Sequence, residues 1–314
     1  MNKLFIAALL TGALAVPTFA ADYAIVAPAA PGGGWDQTAR TMQEALQSDG
    51  ISSSVQVTNV PGAGGTIGLA QFVNQESGNP NALIVGGYVM VGAILTNASP
   101  VTLADVTPIA RLTGEAVVIV VPASSELKTV DDLVAKLKEN PGGVSWAGGS
   151  AGGADHITAG LVAKTVGVDP TLINYIAYSG GGEALAAVLG AQVTVGISGY
   201  SEFASQIASG DLRLLAVSSD ERIPGVDAPT LREAGVDMAL QNWRMVAAAP
   251  NITAEQKATI TADIEKMVNS DAWKKALESR GWVNTYLSGE AFDTQLAADI
   301  AATDAILKDI GLVQ

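Results

Sequence analysis

Four glycine-rich stretches hold the residues on which chemistry could turn. They are Pro28-Ala29-Ala30-Pro31-Gly32-Gly33-Gly34-Trp35-Asp36, then Pro61-Gly62-Ala63-Gly64-Gly65, then Gly148-Gly149-Ser150-Ala151-Gly152-Gly153-Ala154-Asp155-His156, then Ser179-Gly180-Gly181-Gly182-Glu183. Each follows a strand-like apolar run and precedes a segment with helical spacing. Glycines at such a junction leave backbone N–H groups unshielded at the positive end of a helix dipole, which makes a cradle for an anion. The simpler account of any one loop is a turn that needs positive φ. Four loops of one kind at one kind of position favour the cradle.

Other chemistry is poorly supported. Gly148-Gly149-Ser150-Ala151-Gly152 matches the nucleophile-elbow pattern G-x-S-x-G, but the single histidine, His156, lies six residues on in the same helix start. A triad needs a downstream histidine with an acid between. His156 reads as a structural partner or a pocket wall. Gly62 to Gly68 is one residue too long for G-x-G-x-x-G, and no acid closes the next strand at Gly86-Gly87-Tyr88, so a dinucleotide site is not indicated. No Gly-Lys pair forms a phosphate loop. Cysteine is absent, which removes thiolate nucleophiles, disulfides and cysteine metal sites together. No cofactor or metal is expected.

The elements that would position the loops are regular. Tyr23–Ala27 is a strand. Trp35, Ala39, Met42 and Leu46 then mark one helical face, with Asp36 as its cap. Trp35 is either a pocket wall or a core anchor. Ser54–Val60, Ala82–Gly86, Ala116–Val121, Val144–Ala147, Ile173–Tyr178, Gln192–Ile197, Leu212–Ser218 and Trp243–Ala249 read as further strands. Thr129 caps a helix with Asp131 and Asp132 in its first turn. From Thr253 onward the pattern is helical. Strands alternating with helices argue for parallel sheets covered on both faces. A break near Val121-Pro122 and a return near Trp243 make residues 122–244 one domain, and 21–121 with 245–314 the other. Ligands bind beyond the carboxyl ends of such strands, where all four loops lie.

The 314-residue chain carries 31 acidic and 17 basic residues, a formal charge of −14. Nucleic acid is therefore not an expected partner. Hydrophobic content of 48% supports a large core. Met1-Asn2-Lys3, the apolar run Leu4–Val16 and the small residue at Ala20 read as a secretory leader over residues 1–20, too short to span a membrane. The mature chain is expected in the periplasm. Arg40, Arg111, Arg222 and Arg244 could reach a cleft; surface or structural pairing is expected for at least three of them.

Several stretches together resemble the substrate-binding receptors of tripartite tricarboxylate transporters, the Bug family. They are Ala27–Arg40, Asn59–Gly68, Trp146–His156, Tyr178–Val195 and Arg213–Gly235, covering most of the mature chain in order. The pairing of Pro-Gly-Gly-Gly-Trp-Asp with Gly-Gly-Ser-Ala-Gly-Gly-Ala-Asp-His is similar to the tricarboxylate branch. The resemblance implies an α/β, two-domain periplasmic binding protein of type II-like form, each domain a mostly parallel sheet flanked by helices, with a ligand cleft between. It implies a receptor, not an enzyme, that binds a di- or tricarboxylate such as citrate. The receptor would act as a monomer and deliver its ligand to membrane transporter subunits. Two loops act as pincers in the family. Carried onto this chain, they are Ala30, Pro31, Gly32, Gly33, Gly34 and Trp35 on one lobe, and Gly149, Ser150, Ala151, Gly152 and Gly153, with His156, on the other. Gly62, Ala63, Gly64, Tyr88, Gly199 and Tyr200 complete the candidate set. Trp35 stands where many members carry a hydroxyl. The alternatives are an exported esterase using Ser150 and a carboxylate sensor serving a signalling partner.

Overall fold

Tyr23, Ile25 and Ala27 are buried on one face of the first strand, the two-residue period of a pleat packed against helices. The computed structural model describes residues 21–314, and the leader read in residues 1–20 lies outside the described residues. The elements follow in the order β1 (Ala21–Ala27), α1 (Gly34–Ser48), β2 (Ser52–Asn59), α2 (Thr66–Gln75), β3 (Ala82–Gly87), α3 (Tyr88–Thr96) and β4 (Thr107–Pro122). The middle of the chain gives α4 (Val130–Glu139), β5 (Ser145–Gly148), α5 (Ala154–Thr165), β6 (Asn174–Ala177), α6 (Gly181–Leu189), β7 (Val195–Gly199), α7 (Tyr200–Ser209) and β8 (Leu212–Val217). The last part gives β9 (Gln241–Ala248), α8 (Ala254–Asn269), α9 (Asp271–Arg280), β10 (Val283–Ser288) and α10 (Gly289–Asp309). Among the described residues no helix is long and apolar enough to cross a membrane.

Strand order runs β2-β1-β3-β9-β4-β7-β5-β6, with β8 and β10 also paired to β4. The outer strands are parallel: β1 with β2 and β3, and β5 with β6 and β7. Antiparallel pairing gathers on β4 and β9, which lie next to each other in the middle of the strand order. β4 is 16 residues long. Its first part, to Ala116, pairs with β9; from Val117 it pairs with β7 and β8. One continuous strand therefore belongs to both domains of this two-domain α/β fold.

Two elements depart from the sequence reading. α3 is a helix of nine residues whose Tyr88, Met90, Val91, Gly92 and Ala93 are buried; an apolar run of that length shows no helical period. β10 interrupts the expected run of C-terminal helices and pairs antiparallel with β4 at Ala110–Gly114. Its half-exposed residues give little alternation, so only the neighbouring strand defines it.

Ser218 fixes the place where β4 changes sheets. Its Oγ accepts from Val117 N at 2.9 Å and donates to Leu240 O at 2.7 Å. Its own N–H and C=O bond Val117 O and Leu240 N. Ser218→Ala strands a buried N–H and a buried carbonyl. It should destabilise the protein by about 1–3 kcal/mol in urea unfolding; a change within experimental error would contradict this role.

Candidate functional site

Five helix N-termini converge on one cleft. Gly33, Gly34 and Trp35 reach it from the start of α1, and Gly62, Gly64 and Gly65 from before α2. Gly149, Ser150 and Asp155 reach it around α5, Ser179, Gly180 and Gly181 at α6, and Ser198 and Glu202 at α7. Asn242 and Arg244 of β9 also line it. The first-turn N–H groups of a helix have no intrahelical partner, so each terminus presents donors as well as a positive dipole end. α3 meets the loop before α5: Thr96 Oγ1, which donates to Gly92 O at 2.9 Å, lies 3.4 Å from Ala151 O. The cavity left is about 60 Å³, room for roughly four to six waters at 10–15 Å³ each.

Of the residues singled out from the sequence, Gly33, Gly34, Trp35, Gly62, Gly64, Gly149 and Ser150 line this cavity. Ala63 and Ala151 line an adjoining polar recess that shares Ser150 and Ser179 with it. The others build the walls from behind. Ala30 O accepts from Gly33 N, and Pro31 and Gly32 are exposed on the outer turn. Gly153 N donates to Ser150 O. Gly152 adopts φ +74° with Thr96 filling the space where a Cβ would go. Tyr88 is buried edge-on to Trp243, with ring centroids 6.4 Å apart. Gly199 packs against the Glu115 carboxylate, and Tyr200 lies beside Gly281. Trp35 is both wall and anchor, since it lines the cavity and is only 7% exposed.

Carboxylates in the helix starts fold the loops from inside. Gly33, rather than Asp36, is the N-cap of α1. Asp36 sits in the first turn and accepts from Gly32 N at 2.8 Å, Arg40 Nε at 2.9 Å and Asn59 Nδ2 at 2.9 Å. Burial alone would raise its pKa, but these bonds outweigh it and hold the carboxyl below its ordinary value. Asp155 accepts from Gly149 N at 2.7 Å, and Glu183 from Ser179 N at 3.0 Å. His156 serves the same purpose: its Nδ1 accepts from Gly152 N at 3.2 Å and its ring stacks on Tyr175 at 4.1 Å. Burial pushes the imidazole down to about 4. A neutral, clamped ring whose Nδ1 is already occupied orders the loop rather than activating Ser150.

The cleft floor carries charge that the sequence reading did not assemble. Arg244 is 1% exposed, and its Nη2 is ion-paired to Glu115, which is 0% exposed. Glu115 also accepts from Ser201 N at 2.6 Å. The guanidinium lies 4.9 Å from the Trp282 ring centroid, a cation–π distance. Gly34 must lack a side chain because a Cβ there would collide with this guanidinium. Glu202 accepts from Gly181 N at 3.0 Å and Ser198 Oγ at 3.1 Å. Burial, with the charges of Glu115 and Asp155 added, pushes Glu202 up to about 8. Burial also pushes Asp155 up to about 7, with the Gly149 N–H opposing and Glu115 reinforcing the rise. Among the described residues no group of acids is arranged to hold a metal ion. The other three arginines singled out pair away from the cavity: Arg40 with Asp36, Arg111 with Asp299 and Arg222 with Glu233. The signal for Glu115 and Arg244 was a lone charge inside an apolar strand run, which is costly unless paired.

Glycine loops at four helix starts, with the start of α7 beside them, in a cleft of a two-domain α/β fold, define a solute-binding receptor of the periplasmic binding protein fold. Residues 38–312 match the tripartite tricarboxylate transporter family receptor, and the chain belongs to that family. The chain is 27% identical to Protein BugT of Bordetella pertussis over 96% of this chain and 94% of that protein. MatC from Rhodopseudomonas palustris, solved with bound malate, superposes with a TM-score of 0.80 at 22% identity, covering 93% of this chain and 100% of that one. Another R. palustris protein, solved with adipate, gives 0.83 at 23% identity over 94% and 98%.

The raised carboxyls predict a pH dependence. Unfolded Asp and Glu lose their protons near about pH 4, whereas the native groups keep theirs to about 7 and about 8. The native state therefore holds more protons in this window, and stability falls as pH rises through it. His156 acts in the opposite direction, but its contribution is complete by about pH 6.5, the unfolded value. Heat denaturation between pH 6.5 and 8.5 should show a falling midpoint. Glu202→Gln should flatten the part above pH 7; an unchanged slope in that variant would contradict the assignment.

Proposed function

We propose that this chain is an exported, periplasmic receptor that captures a small di- or tricarboxylate and passes it to the membrane subunits of a tripartite tricarboxylate-type transporter. The observation that carries this reading is the convergence of five helix N-termini on one glycine-lined cavity. Dipole ends gathered around one cavity favour an anion without a dedicated cation for each charge. The small cavity suits a small acid. Malate in one structural neighbour and adipate in another are acids of this class. The leader read in residues 1–20 supports export, and citrate is within the same class.

The raised values of Asp155 and Glu202 fit this reading. Near neutrality Glu202 is mostly protonated and Asp155 about half so, which weakens their repulsion of an arriving anion, while Arg244 and Glu115 cancel each other. The same reading divides the mature chain into residues 21–121 with 245–314 and residues 122–244, hinged in the strands that cross between them. Closure then brings the Gly33 and Gly180 loops together over the ligand. The proposed receptor acts as a monomer, a reading under which one chain supplies the whole site.

Calorimetric titration with malate, adipate and citrate tests this directly. At least one should bind, and ligand at a hundred times its Kd should stabilise the fold by about 2.7 kcal/mol. No heat and no stabilisation from any of the three would overturn the reading. A second test uses Gly180, whose φ of 168° is extended backbone that any residue adopts. A Cβ there meets nothing but Gly33 Cα, 3.9 Å away across the cleft. Gly180→Val should weaken carboxylate binding while leaving the unfolding midpoint unchanged; full affinity in this variant would remove the Gly180 loop from the site.

A further inference from the structure

We propose that Arg244 is a direct ligand contact, with its Nη1 donating to a carboxylate oxygen of the bound acid. This rests on the carboxylate reading above and names the side chain that recognises the charge. Arg244 is the one cation among the buried residues described, and it lines the cleft. Its Nη2 is taken by Glu115. Its Nη1 is buried without a hydrogen-bond partner among the described residues. A guanidinium N–H left unpaired in the interior is expensive, and a second carboxylate is the group that best satisfies it. The floor is incomplete at a neighbouring position too. Asn242 lies two residues earlier on the same face of β9, lines the same cleft, and its Oδ1 also lacks a partner among the described residues. An unpaired donor at Arg244 and an unpaired acceptor at Asn242, both on residues that line the cleft, mark where a ligand offering a carboxylate and a hydroxyl completes the bonding.

The surroundings hold the guanidinium ready. Trp282 stacks on one side at 4.9 Å, and Gly34 leaves room for the side chain to approach the α1 jaw. Glu115 keeps the charge neutralised while the cleft is empty, and Ser201 N anchors Glu115 in turn. The ligand carboxylate then shares Arg244 with Glu115. Glu115 is thus a competitor as well as a holder, which gives the two residues opposite signatures. A purely structural ion pair would make both substitutions harmful to binding. A shared cation makes removal of Glu115 helpful.

Malate titrated calorimetrically into the mature chain and two variants tests this, with thermal unfolding followed in parallel. Glu115→Gln should lower the unfolding midpoint of the empty protein yet bind malate more tightly than wild type. Glu115→Gln combined with Arg244→Gln leaves no buried charge unpaired, so it should fold. It should bind malate at least about tenfold more weakly than Glu115→Gln alone, as expected when one partner of a buried charge pair is lost. Equal affinity in the double and single variants overturns the inference while leaving the carboxylate reading intact. Weaker binding in Glu115→Gln than in wild type also overturns it, since the pair would then be structural only. Failure of the wild type to bind malate, adipate or citrate overturns the carboxylate reading and this inference together.

Discussion

The ion pair between Arg244 and Glu115 joins the neighbouring strands β9 and β4 just before β4 changes partners, and much of the molecule is arranged around it. Both side chains are almost wholly removed from water, which by itself disfavours folding unless each charge is paired and hydrogen-bonded. The structure meets that demand from several elements at once. α7 supplies Ser201 N to Glu115, Trp282 covers the guanidinium, and Gly199 and Gly34 leave space for the two heads. The first loop is therefore constrained at two glycines, Gly32 by the positive φ of its turn and Gly34 by an arginine more than 200 residues away in sequence.

Around that pair the cleft balances opposite electrostatic tendencies. Five helix starts make the site positive through backbone dipoles. Asp36, Asp155, Glu183 and Glu202 answer with carboxylates that accept from the loop N–H groups or the first turns. These acids shape the loops, and two of them sit where burial and the charge of Glu115 make ionisation costly. Under the proposed function, the balance leaves the cavity close to neutral near pH 7 and able to accept an anion. A receptor that must release its ligand is served by donors fixed in the backbone more than by several unpaired cations.

The sequence and the structure agree most closely on the loops. Strand, glycine run and helix start follow one another in order at α1, α2, α5 and α6, and local propensity is enough to write them down. Elements defined by a neighbour were harder to read. α3 is apolar on all sides and has no period, and β10 is a strand only because β4 lies beside it. Within the loops, the residues that reach the cavity were mixed with those that support it. Gly152, Gly153 and His156 hold the third loop in shape, while Ser179 and Gly181 of the fourth loop line the cavity. Spacing along the chain does not separate those two roles, because both occur within one turn.

By itself the sequence determined the α/β alternation, the position of the glycine loops at helix starts, the absence of thiol chemistry and the membership of a receptor family. These follow from local periodicity, composition and runs of adjacent residues. Only the tertiary structure decided that β4 serves two sheets, that five helix termini share one cavity, and that Glu115, Asp155, Glu202 and Arg244 meet at its floor. The physical reason is range. Backbone propensity and dipoles act over a few residues, whereas a buried charge is defined by whatever partner the fold brings within hydrogen-bond distance, and that partner can lie anywhere along the chain.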